Sequence, residues 1–274
     1  MKNYKYKILV LSDLKQAASN MLKSTVGLAK MIDGEIDFLC VKKPSEIVER
    51  ENQLSAIRTI NQEHFTAKKE MLNLIKPISE DYNIKINHTL SYGNVKDEIG
   101  SYIKEQQPDI IVIGKRKSKT INILGDNITQ FVLNKHSGTI MISAEKNTIE
   151  PDKELSLGII EDAKEIFNSE FTKNLLKNTQ KPLKAFKVIE NSDKKNEVSL
   201  NDNETVEYVF EENSDTIKNI SNYLSKSNIN LLCIDRDKEK DKNSKHLLKS
   251  DINRLIKNFN VSLLLTNGKQ LILK

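Results

Sequence analysis

Tryptophan is absent from the 274 residues, and aromatic side chains make up only 5%. Cysteine occurs twice, as Cys40 and Cys233, each inside an apolar, strand-like run. No CxxC and no zinc-type spacing links them, so buried, inert thiols are expected. Nine glycines and five prolines exclude collagen-like and Gly/Pro-rich disordered chains. Long apolar runs are also missing, and none approaches the roughly 20 residues of a membrane span. Near the start, Ile8-Leu9-Val10-Leu11 stops at Ser12-Asp13, too soon for a signal-peptide core, so a cytoplasmic protein without membrane contact is expected. Charge is balanced: 22 basic against 18 acidic residues up to residue 150, and 21 against 20 beyond it, for a net +5. That balance, with no aromatics interleaved in the basic runs, argues against nucleic acid as a partner. The four histidines are scattered, and HExxH, GxSxG and GxxxxGK[ST] are all absent. No catalytic constellation and no metal centre is expected, so the chain is not read as an enzyme.

What is present is an alternation of strand and helix signals. Lys7 to Leu11 is a short apolar strand. A helix follows from about Gln16 to Met31, with apolar positions recurring at three and four, and Asp33-Gly34 ends it. Ile36 to Val41 is the second strand. A long helix then covers Gln53 to Tyr82, with His64 on its inward stripe and Pro77 expected to kink it or end it early. Ile84 to Leu90, Ile110 to Ile113 and Thr139 to Ser143 read as further strands, with helices at Val95 to Gln106 and Asn127 to Lys135. His136 follows the last of these helices, where an imidazolium would suit the dipole. Strands separated by helices imply a parallel sheet with right-handed crossovers.

The second half repeats this plan in worn form. Leu155 to Ile160, Leu183 to Ile189, Thr205 to Phe210, Asn230 to Ile234 and Val261 to Leu265 are strand-like. Helices are expected at Ser169 to Gln180, from Ser214 or Asp215 to Lys226, and at Leu247 to Phe259. The long helix has no counterpart there; only the polar stretch Asn191 to Asn203 fills its place. Pro151 marks the junction, giving two units, residues 1–147 and 152–274. The fold class read from this pattern is α/β, with two doubly wound, five-stranded parallel-sheet domains from a tandem duplication.

Three stretches of the first half resemble the universal stress protein family: Lys7 to Asp13, Gly93-Asn94-Val95 ahead of a helix, and Pro108 to Ser143. The run Pro-Asp-Ile-Ile-Val-Ile-Gly at 108–114 is the most family-like. The second half looks like a diverged copy, which makes the match one to the tandem type. The resemblance implies an adenine nucleotide alpha hydrolase-like fold in which the two domains pair through their last strands, so that one chain is pseudo-dimeric. It also implies a nucleotide loop of the form G-x2-G-x9-G-[ST] after the fourth strand. Glycines there let the backbone approach phosphate, and helix-start N–H groups donate to it. Carried onto this sequence, the cofactor-binding candidates are Asp13 after the first strand, Val41 at the end of the second, and Gly114, Arg116, Lys117, Gly125, Asp126 and Asn127 along the loop.

The loop departs from that pattern. Gly114 matches the first glycine, but Lys117 stands at the second. Gly125 serves as the third only if the loop is two residues shorter, and Asp126 stands at the Ser/Thr position. A carboxylate there caps the helix itself and repels phosphate. Against this, Lys115, Arg116, Lys117 and Lys119 gather cations that can hold an anion without glycines. In the second half Asp162 aligns with Asp13 and Asp235 with Gly114, and Arg236 to Lys245 contains no glycine, so no phosphate site is expected. Two functions follow. One is a non-enzymatic stress-response scaffold or interaction protein with a degenerate nucleotide site, whose protein partners meet the long helix. The other is a sensor that binds ATP or another adenine nucleotide through residues 114–127. A homodimer through the apolar tail Leu271-Ile272-Leu273 is a further candidate assembly.

Overall fold

The computed structural model describes residues 4–15, 17–43, 53–115, 128–160, 170–189, 205–236 and 252–266, with side chains of the long helix from residue 61 onward. Arg116, Lys117, Gly125, Asp126, Asn127, Asp162 and the tail lie outside the described residues.

The first half runs β1 (Tyr6–Ser12), α1 (Ala18–Ile32), β2 (Gly34–Lys42), α2 (Gln53–Asp81), β3 (Ile86–Tyr92), α3 (Val95–Gln106), β4 (Ile110–Gly114), α4 (Ile128–Lys135) and β5 (Thr139–Ser143). The second half runs β6 (Leu157–Ile160), α5 (Glu170–Lys177), β7 (Leu183–Ile189), β8 (Thr205–Glu211), α6 (Thr216–Lys226), β9 (Leu231–Asp235), α7 (Ile252–Asn258) and β10 (Ser262–Thr266). All ten strands join one sheet in the order β3-β2-β1-β4-β5-β10-β9-β6-β7-β8. Each half therefore has the doubly wound order 3-2-1-4-5, and every pairing inside a half is parallel. Among the described residues, the seam is the single antiparallel pairing, β5 with β10, centred on Met141 opposite Leu264. The last strands meet as the resemblance implied, and two apolar edges cover each other.

Strand composition follows from this placement. Ile110, Ile111, Val112 and Ile113 are all buried because β4 lies between β1 and β5 with helices on both faces. Ile110 and Val112 enter one core, shared with α1, α2 and α5 through Leu22, Val26, Met71 and Phe171. Ile111 and Ile113 enter the other, shared with α3, α4, α6 and α7 through Ile99, Val132, Ile220 and Leu255. The two periodicities, two along strands and about 3.6 around helices, meet in these layers.

Several local expectations need correction. Pro77 does not end α2 early: it lies inside the helix, which continues to Asp81. Proline removes one backbone bond there, but Ile75 and Ile78 on either side are buried in the sheet-facing core and hold the last turn in place. His64 is exposed and stacks on the Tyr92 ring, with centroids 5.5 Å apart, instead of lying in the core. The buried stripe of α2 begins at Ala67 among the residues whose side chains are described. Asp33 itself, at φ 57°, takes the left-handed position that ends α1, and Gly34 already belongs to β2.

Candidate functional site

In a doubly wound sheet, ligands meet the carboxyl ends of the strands where the order reverses, here between β1 and β4. The register brings three sequence candidates to that edge. Leu11 pairs with Leu39 on one side and with Ile113 on the other. Asp13 and Val41 stand two residues beyond this level, and Gly114 one residue beyond it. Neighbouring strands lie about 4.8 Å apart, so the three positions line one short stretch of sheet rim.

The turn after β1 is built by its own side chains. Ser12 Oγ accepts from the Leu14 N–H at 3.2 Å, and the Asp13 carboxylate accepts from the Lys15 N–H at 3.2 Å. Leu14 sits at φ 61°, which these two short bonds help to hold. Val41 is half-buried and packs against the core on the α3 face. Gly114 does not use a left-handed backbone. A Cβ there would lie 3.4 Å from Met21 Sδ, ordinary contact, so packing among the described residues does not require glycine at this position.

The start of α3 reaches the same rim and is closed. The Asn94 side chain accepts from the N–H groups of Lys96 (3.0 Å) and Asp97 (3.5 Å), and Asp97 and Glu98 occupy the first turn. Ser91 donates to Glu98 in a short hydrogen bond. Free donors and positive field, which an anion would need, are taken up by the chain's own groups.

Lys115 is the first cation of the loop sequence, and its side chain points out of the rim. Its ammonium donates to the Phe259 carbonyl at 2.6 Å and to the Lys257 carbonyl at 3.3 Å, both at the end of α7 in the other half. Burial holds its pKa below the ordinary lysine value. Arg236 is the matching residue of the second half, since both follow the fourth strand and both backbone N–H groups bond to the fifth: Lys115 to Ser143 O at 2.9 Å, Arg236 to Thr266 O at 2.8 Å. The Arg236 guanidinium donates to the carbonyls of Leu133 (2.7 Å), His136 (3.1 Å) and Gly138 (3.1 Å), at the end of α4. Sequence reasoning missed both contacts. The available signal was a cation one residue past the fourth strand in each half.

His136 also departs from expectation. It is buried, and burial pushes its pKa below the ordinary histidine value, with the Arg236 charge acting in the same direction and the Asp109 and Thr139 backbone opposing. An imidazolium at this helix end is disfavoured because it would stand in a closed core beside a guanidinium. Phe259 holds the equivalent place after α7, with the same N–H bond to the residue four before it. Gly138 is required nearby, because a Cβ would come within 2.8 Å of the Asp109 carbonyl oxygen.

The cysteines are as inert as expected. Both are buried, and desolvation pushes the thiols of Cys40 and Cys233 up to about 11 and about 12. Among the described residues no group of three His, Cys, Asp or Glu side chains is placed to hold a metal. No helix among the described residues is long and apolar enough to cross a membrane.

These features define a doubly wound α/β protein whose candidate site lies at the β1–β4 rim. A model of the universal stress protein family matches residues 5–142, half of the chain, and the chain belongs to that family. No curated protein matches it. Among solved structures, a universal stress protein from Archaeoglobus fulgidus DSM 4304 is similar at 17% identity and TM-score 0.65, covering 96% of this chain and 98% of that one. A functionally unknown protein from Pseudomonas aeruginosa PAO1 is similar at 11% identity and TM-score 0.57, covering 97% and 94%. At these identities the likeness is one of fold, and it extends over both halves of the sheet.

Proposed function

We propose that the chain is a non-enzymatic stress-response scaffold whose nucleotide site is degenerate. The observation that carries this reading is the position of Lys115. Its ammonium caps α7 at 2.6 Å from the Phe259 carbonyl, so the first cation of the would-be phosphate loop serves the join between halves. The sequence adds Lys117 and Asp126 where the family's loop has glycine and a hydroxyl residue. On this reading residues 152–274 are a diverged copy of the family domain. Partners meet the exposed face of α2, where Phe65 is 70% exposed beside Lys68, Lys69 and Leu72.

An adenine-nucleotide sensor is the second reading. It is favoured by Asp13, Val41 and Gly114 lining one stretch of the sheet rim, and by a Gly114 that packing among the described residues does not demand. Calorimetric titration of the purified, nucleotide-stripped protein with Mg-ATP, ADP and AMP decides between them, after absorbance has been used to check untreated protein for co-purified adenine. The scaffold reading expects no heat up to millimolar ligand. It also expects that the double substitution Lys117→Gly with Asp126→Ser gains affinity. Micromolar binding near one per chain, abolished by changes at Lys115, Arg116 and Lys117, overturns it in favour of the sensor.

A further inference from the structure

Lys115 and Arg236 are related by more than equivalent position. Each is the first residue after a central strand, and each crosses the β5–β10 seam to bind carbonyls at the end of a helix in the opposite half. The last carbonyls of a helix have no partner within it and carry the negative end of its dipole, so a cation is the fitting cap. The acceptors correspond as well, the Phe259 carbonyl for Lys115 and the His136 carbonyl for Arg236, each on the residue following its helix.

The chain path gives this exchange a consequence. Residues 116–127 lie in sequence between Lys115 and the first residue of α4, and residues 237–251 lie between Arg236 and the first residue of α7. We infer that the two halves are coupled crosswise through the ends of α4 and α7. Lys115 opens the first segment and caps the helix that closes the second, and Arg236 opens the second and caps the helix that closes the first. The second half thereby holds Lys115, just before the first half's loop, and the far end of α4, the helix after it. A change that draws Lys115 away from the seam loosens α7 and not α4. This coupling is independent of whether a nucleotide binds.

The two directions are unequal. Arg236 spreads its planar fork over three carbonyls, whereas Lys115 places one ammonium between two. The stronger grip is therefore on α4, the helix that follows the candidate nucleotide loop.

Native-state hydrogen exchange on the full-length protein tests the crossing. Arg236→Met is expected to raise exchange at least tenfold in the last turn of α4, at the amides of residues 133–136, while the last turn of α7 keeps its protection. Lys115→Met is expected to do the reverse, with a smaller rise in the last turn of α7. Arg236→Lys should restore part of the α4 protection, and Lys115→Arg should retain that of α7. Increases confined to the half that carries the substitution overturn the inference. So do equal increases in both helices, because these report a general loss of stability. If Arg236→Met does not fold, Arg236→Lys alone decides: its rise must fall in α4 and spare α7.

Discussion

The two halves share a strand order and differ in what covers it. In the first half α2 lies over β2 and β3, and Met71, Ile75 and Ile78 join the core beneath it. Among the described residues no second helix covers the same face of β7 and β8. The strands there carry Lys187 and Glu207, paired at 2.8 Å, and Val209 is 55% exposed. The opposite face of β8 keeps an aromatic cluster in which Tyr208 and Phe210 pack with Phe186 and with Tyr223 of α6. On these described strands, polar side chains stand on one face only. The seam shows no such drift: Ile140, Met141, Leu263, Leu264 and Leu265 are all buried. The lesson is that the join between halves demands apolar strands from both, whereas an outer face and a strand end differ between them.

The largest expected effect comes from breaking what the halves share. Leu264→Asp places a carboxylate in the seam opposite Met141, with no cation in the register pairs around it. A loss of at least about 4 kcal/mol is expected, a large share of the roughly 5–15 kcal/mol that holds natural domains folded, because a buried charge without a partner is among the costliest changes. Chemical denaturation followed by circular dichroism checks it. A loss below about 1 kcal/mol would mean that the seam is not a shared core.

Next in size is the contrast between the two outer faces. Met71→Ala should cost about 2–5 kcal/mol, since it empties a site that is 1% exposed. Val209→Ala, at the corresponding face of the second half, should stay within about 0.5 kcal/mol. Equal costs at the two positions would show that something covers β8 as α2 covers β3.

The smallest effect concerns the paired positions His136 and Phe259. The folded pKa of His136 lies below its unfolded value near 6.5, so the unfolded chain binds the extra proton more readily. Stability from this group is present above that value and is lost as pH falls toward the folded pKa. The slope is at most about 1.4 kcal/mol per pH unit, the worth of one proton. His136→Phe, which gives the first half the residue of the second, should flatten that part of the stability profile. An unchanged slope would place the titration elsewhere.

Much of this architecture was legible in the sequence, because periodicity and apolar runs report burial directly. Ile110 to Ile113 could only suit a strand covered on both faces, and the Gly93-Asn94 pair ahead of α3 could only suit a helix start. Asp13, Val41 and Gly114 came to one rim because strand ends in a doubly wound sheet share a level. What escaped were properties set by distant neighbours. Nothing local to Lys115 tells that it meets α7, 142 residues away. Nothing local to His136 tells that its helix end faces a guanidinium and a closed core. Pro77 likewise did not end α2 early, since Ile75 and Ile78 on either side of it are packed in the core.

The β5–β10 seam has one more consequence. Two separate subunits joined along such an edge come apart on dilution and, being encoded once, must carry the same strand ends. Two halves joined by a few residues of chain hold each other at an effective concentration on the order of millimolar, whatever the amount of protein present. Each is also written separately in the sequence. Glycine can therefore stand at the end of β4 and aspartate at the end of β9, and the molecule can carry a left-right asymmetry that no twofold-symmetric dimer of a single sequence can hold.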